Sequence, residues 1–155
     1  MKRAIIWMGP VATSNLSTAV ANIDVPVLTL NCGTLTPKPD CEATLRAVHF
    51  APWLASLGAD PIGALCAKTG ADGLYLAAFS AGAGGLEGLL DRQAGDPRIL
   101  GCYAADAYFA PFVKQGYMKQ AQACQRTGAP FWISTGGTGT AQVATGGVAF
   151  EPFAA

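Results

Sequence analysis

Three side chains in this sequence bring together a nucleophile, a base and an acid: Ser80, His49 and Asp106. A serine hydroxyl at its ordinary pKa attacks a carbonyl poorly and needs a neighbour to take its proton. An imidazole serves best near neutral pH, and a carboxylate beside it fixes the tautomer and stabilises the imidazolium. His49 is the sole histidine of the chain, so a relay through imidazole has one candidate. The alternative for His49 is an ordinary packing or surface role. Ser80 draws attention through its setting. The apolar run Leu74-Tyr75-Leu76-Ala77-Ala78-Phe79 ends at Ser80, and Ala81-Gly82-Ala83-Gly84-Gly85-Leu86 follows with helical spacing. This pattern predicts a strand, a sharp turn and a helix. Ser80 then sits at the turn, close to the free N–H groups of a helix start.

The flanking sequence predicts what positions that turn. Ala4 to Met8 reads as a first strand stopped by Gly9-Pro10, and Leu16, Ala19, Val20 and Ile23 follow helical spacing after a Thr13 or Ser14 cap. Val25 to Leu30 is a second strand closed by Asn31-Cys32-Gly33, and Thr34 to Asp40 is a loop. Cys41 to Val48 reads as a helix, and Pro52 makes Phe50 to Leu57 a separate helical piece. Asp60-Pro61 is a strong helix start, and Gly70 stops that helix. The helix after Ser80 ends near Asp91-Arg92. Ile99 to Ala104 is a strand with Asp106 just beyond it, Lys114 to Arg126 a helix, and Pro130 to Ser134 a last strand. Short apolar strands separated by helices predict a parallel sheet covered on both faces.

The pentad Ala78-Phe79-Ser80-Ala81-Gly82 resembles the nucleophile elbow of the α/β-hydrolase superfamily, with Ala in place of the first Gly. The resemblance covers roughly residues 2 to 135. It implies Ser80 as nucleophile and the Ala81 N–H as one oxyanion donor. The turn Gly9-Pro10-Val11 resembles the family's oxyanion turn and makes Val11 the second donor, with Asn31-Cys32-Gly33 as the rival. Asp106 matches the acid of the pancreatic-lipase-like branch. Most of the family carry the acid after the next strand, where this chain has Ser134-Thr135. The family's histidine follows the last strand, and between Ser134 and Ala155 there is none; His49 lies upstream of Ser80. A phosphate cradle is the competing reading of the glycines. Gly82-x-Gly84 is followed by Glu87 at the third fingerprint position, however, and no Gly-Lys-Ser/Thr completes a P-loop.

Composition narrows the setting. The chain has 155 residues, enough for one domain with a real core, but is short for a complete α/β-hydrolase. Only 13% of residues are charged, about half the usual share. Ten basic and ten acidic side chains cancel, so no field of one sign attracts nucleic acid or anionic lipid. No apolar run approaches the ~20 residues of a membrane span. Met1-Lys2-Arg3 and the apolar residues after it imitate a signal peptide only until Gly9-Pro10, so a soluble chain, cytoplasmic or particle-associated, is expected. The five cysteines form no Cys-x-x-Cys pair, and neither a metal nor a cofactor is expected. Cys102 and Cys124 fall at apolar positions and read as small hydrophobes.

The expected architecture is α/β, a three-layer α/β/α domain with a mainly parallel sheet of about five strands, α/β-hydrolase-like. Residues 1–135 form the core and residues 136–155 a Gly/Thr-rich tail. The tail echoes Thr135-Gly136-Gly137 as Thr145-Gly146-Gly147, and Thr140 to Ala144 suits an edge strand or hairpin arm. Trp53, Tyr108, Phe109, Phe112, Phe150 and Phe153 are the expected outlying aromatics. The low charge, the missing downstream histidine and the tail favour a lapsed hydrolase-fold domain serving as an assembly subunit, in a virion or another particle. Its partners are then copies of itself or other protein subunits. The alternative is a small serine esterase acting on a small ester through Ser80, Asp106 and an unconventional base.

Overall fold

A computed structural model describes residues 1–9, 25–31, 50–79, 82–105, 124, 126–135, 139–143 and 150–152. Among these residues, seven strands form one sheet: β1 (Arg3–Gly9), β2 (Val27–Asn31), β3 (Gly73–Phe79), β4 (Ile99–Ala105), β5 (Phe131–Thr135), β6 (Gly139–Val143) and β7 (Phe150–Pro152). Their order is β2-β1-β3-β4-β5-β6-β7. The first five run parallel, whereas β5–β6 and β6–β7 pair antiparallel. The chain is therefore of the α/β class. The described part of the tail adds two antiparallel strands to the five parallel ones, extending the same sheet beyond β5.

Among the described residues, three helices lie between strands: α1 (Ala51–Ser56), α2 (Pro61–Thr69) and α3 (Ala83–Gln93). The start of α2 follows its sequence signal. The Asp60 carboxylate accepts from the Gly63 N–H, Pro61 opens the helix, and Gly70 closes it at φ 66°. Asp60 is held further by the Arg98 guanidinium at 2.7 and 2.9 Å and by Gln93 Nε2 at 2.7 Å. Arg98 also grips Asp96, so one cluster ties the starts of α2 and β4 to the end of α3. The Arg98 hydrogen bonds come first, and they hold the Asp60 carboxyl well below the usual carboxylate range.

The period-two alternation of the strands divides the sheet into unlike faces. Ala4, Ile6 and Met8 on β1 register with Leu74, Leu76 and Ala78 on β3, and all six have no exposed surface. Cys102, Ala104 and Phe131 continue this face, and Leu54, Ile62, Leu65, Leu86, Leu89 and Leu90 from the helices pack over it. Trp53 is buried here as well, 4% exposed and edge-on to Phe50. That corrects its reading as an outlying aromatic: α1 turns the indole into the core. The opposite face carries Trp7, Tyr75, Tyr103 and Trp132, all half-buried. Among the described residues, no helix is long and apolar enough to cross a membrane.

Candidate functional site

β3 is the third of the five parallel strands, and the chain leaves its C-terminal end at Phe79 to enter α3 at Ala83. Strand and helix thus follow one another in the order the sequence predicted, while the turn residues Ser80 and Ala81 lie outside the described residues. Gly82, at the N-cap, has ordinary helical angles of φ −61° and ψ −16°. What it requires is closeness. A Cβ there would collide with the carbonyl of Met8 and stand 2.9 Å from the Gly9 nitrogen. The start of α3 is therefore pressed backbone to backbone against the C-terminal end of β1.

The other glycines of this helix serve the same approach. A Cβ on Gly85 would meet Met8 Sδ at 3.0 Å and Phe50 Cδ1 at 3.1 Å, and one on Gly88 would collide with the Leu54 side chain. Among the described residues, no side chain caps α3, and its first turn carries no acid.

Ser80, Ala81, Val11, His49 and Asp106 all lie outside the described residues, but each adjoins a stretch whose place is known. Phe79 and Ala105 are register partners at the ends of β3 and β4. Ser80 follows the first by one residue and Asp106 follows the second by one. Val11 follows the end of β1 by two. Phe50, the residue after His49, is fully buried and touches the first turn of α3 beside Met8. The flanks of all five residues thus converge on the C-terminal edge of β1, β3 and β4. This is also where the strand order reverses: the chain leaves β1 towards β2 on one side, and β3 lies on the other. In open α/β sheets, ligands bind in the crevice at such a point.

Phe50 is the contributor that sequence reasoning missed. Its signal was present in the pairing of a large ring with the glycines of the facing helix, but only the tertiary contact reveals it. Within α3, burial first and Asp91 second raise the pKa of Glu87 to about 7. At the other end of the sheet, a cavity of about 680 Å³ is lined by Met1, Lys2, Arg3, Val25, Pro26, Thr69 and Gly70, far along the strands from the turn after β3. Among the described residues, no three His, Cys, Asp or Glu side chains gather as a metal site. Comparison with family models, curated proteins and solved structures finds no match to this chain.

Proposed function

We propose that this chain is a small serine acyl hydrolase whose nucleophile is Ser80, in a hydrolase-like three-layer domain. One observation carries the reading: the C-terminal edge of the central strand passes within three residues into a helix pressed against β1. That arrangement suits a nucleophile elbow, which needs a tight turn and a helix close to the sheet. The Phe79–Ala105 register supports Asp106 as the acid, because both residues in question follow directly from paired strand ends. The packing of Phe50 against α3 supports His49 as the base, since its covalent neighbour already stands at the elbow helix. The Ala81 and Val11 N–H groups supply the oxyanion donors. In this mechanism, His49 takes the Ser80 proton as Oγ attacks an ester carbonyl, then returns it to the leaving alcohol. Water repeats the cycle on the acyl-enzyme.

The three-layer arrangement is supported by connection handedness. The connections β2→β3, β3→β4 and β4→β5 all progress one way across the sheet, while β1→β2 goes the other way. Right-handed crossovers put the first three on one face, where α1, α2, α3 and Cys124 are found, and the fourth on the aromatic face.

A fluorophosphonate probe and a short-chain ester assay test the proposal. Covalent labelling at Ser80 is expected, lost in Ser80→Ala, with ester turnover in His49→Ala lower by about 10²–10⁴-fold. A folded wild-type chain that neither labels nor turns over ester overturns it. The second reading, an inactive assembly subunit, is favoured by the 13% charged content and zero formal net charge, which favour association.

A further inference from the structure

We propose that Cys102 and Cys124 form a disulfide-competent pair, a redox modification site on the helix-covered face of the sheet. It stands apart from the proposed acyl-transfer site. Their Sγ atoms are 3.9 Å apart, and the two residues are 1% and 0% exposed. A disulfide bond is about 2.05 Å long, so closure brings the sulfurs together by about 1.9 Å, a change suited to side-chain rotation. The local backbones are anchored for it. Cys102 sits mid-strand in β4, its N–H donating to the Pro130 carbonyl at 2.9 Å. The Cys124 carbonyl accepts from the Ala129 N–H at 3.0 Å and from Thr127 Oγ1 at 2.7 Å. The bond would therefore tie β4 to the turn that feeds β5.

The two thiols are electrically unlike. The Cys102–Cys124 hydrogen bond outweighs burial and, assisted by the Gly95 backbone and the Arg126 charge, draws the Cys124 thiol below its ordinary pKa. The same hydrogen bond, with burial, holds Cys102 protonated. Cys124 is thus the readier nucleophile of the pair, and hydrogen peroxide is small enough to suit a closed core. The Cys124 thiolate attacks the peroxide: an S–O bond forms, the O–O bond breaks, and hydroxide leaves and takes up the thiol's proton as water. Cys102 Sγ then attacks the sulfenyl sulfur of Cys124. An S–S bond forms, the S–O bond breaks, and the departing oxygen takes the Cys102 proton as a second water. Two thiols lose two electrons, and one peroxide becomes two waters.

The cysteines are 22 residues apart, and the span between them carries Asp106 and the aromatic run from Tyr108 to Phe112. Closure anchors both ends of that span and removes freedom from the unfolded chain. The test treats the folded full chain with a small excess of hydrogen peroxide, blocks remaining thiols in denaturant and digests with trypsin without reductant. Cleavage after Arg98, Lys114, Lys119 and Arg126 places the two cysteines in separate peptides, residues 99–114 and 120–126. The expected product is those two peptides joined, lighter by two hydrogens, with a melting temperature raised by on the order of 5–10 °C for the oxidised chain. Cys124→Ala should leave Cys102 as a blocked thiol and abolish the joined peptide. Joined peptides through Cys32, Cys41 or Cys66 instead, or sulfinic acid at Cys124 without cross-linking, would overturn the proposal. So would two thiols left unreacted in the wild-type chain. None of these readouts depends on ester turnover.

Discussion

At the scale of the residue, Gly82 shows how an ordinary backbone angle can still demand glycine. Its φ of −61° suits any residue, and the constraint is the Met8 carbonyl where a Cβ would stand. Backbone cannot rotate away as a side chain can. Gly82→Ala is therefore expected to destabilise the fold by about 1–3 kcal/mol, read by urea unfolding. Gly88→Ala is the comparison. Its obstacle is the Leu54 side chain, and alanine's helix propensity offsets part of the cost by about 1 kcal/mol, so the net change should be smaller. Equal costs at the two positions would mean that Gly82 does not hold the helix against β1. The sequence marked this segment as glycine-rich. Which glycine faces backbone and which faces a side chain is settled only by the tertiary contact. The same applies to Trp53, which the fold buries edge-on to Phe50.

At the scale of the element, punctuation was the most legible part of the chain. Asp60-Pro61 and Gly70 bound α2 because capping, a fixed proline φ and a left-handed glycine are local effects. Short apolar runs bounded by turn residues likewise placed β1, β3, β4 and β5 to within a residue or two. β7 was not foreseen as a strand, since three residues have no period to read and acquire their pairing only from β6. α3 makes a prediction of its own through Glu87. Burial raises its carboxyl from 4.5 to about 7, with a smaller push from Asp91 one turn on. An acid with a raised pKa makes the folded chain bind more protons than the unfolded chain between those two values. Stability therefore falls as pH rises from about 4.5 to about 7 and stays lower above it. Because the group is only half-buried, solvent screening holds this contribution to about 1 kcal/mol. In Glu87→Gln, urea unfolding should lose that part of the pH dependence, and the variant should exceed the wild type at pH 8 but not at pH 5. An unchanged slope would show that Glu87 titrates in the folded chain as it does in the unfolded one.

At the scale of the whole molecule, the two faces of the sheet have unequal finish. The face under α1, α2 and α3 is dry, and its strand residues on β1 and β3 have no exposed surface. The other face presents Trp7, Tyr75, Tyr103 and Trp132 half-buried, and Trp7 Nε1 is buried with no hydrogen-bond acceptor among the described residues. Large aromatic rings that keep part of their surface in water are a reservoir of association energy. Little electrostatic repulsion opposes it, because ten basic and ten acidic groups cancel. Self-association should therefore be strongest near the isoelectric point of about 6.5 and weaken as pH moves away and like charge accumulates. Static light scattering across pH 5.5 to 9 checks this: the expected weight-average mass exceeds the 15.9 kDa chain near pH 6.5 and declines towards pH 9. Tyr103→Lys, which places a charge among those rings, should lower the mass at pH 6.5 if this face is the contact. A monomer at every pH would refute self-association and remove the main support for an assembly role built from copies of this chain. A mass that is high but indifferent to both pH and Tyr103→Lys would place the contact on another surface.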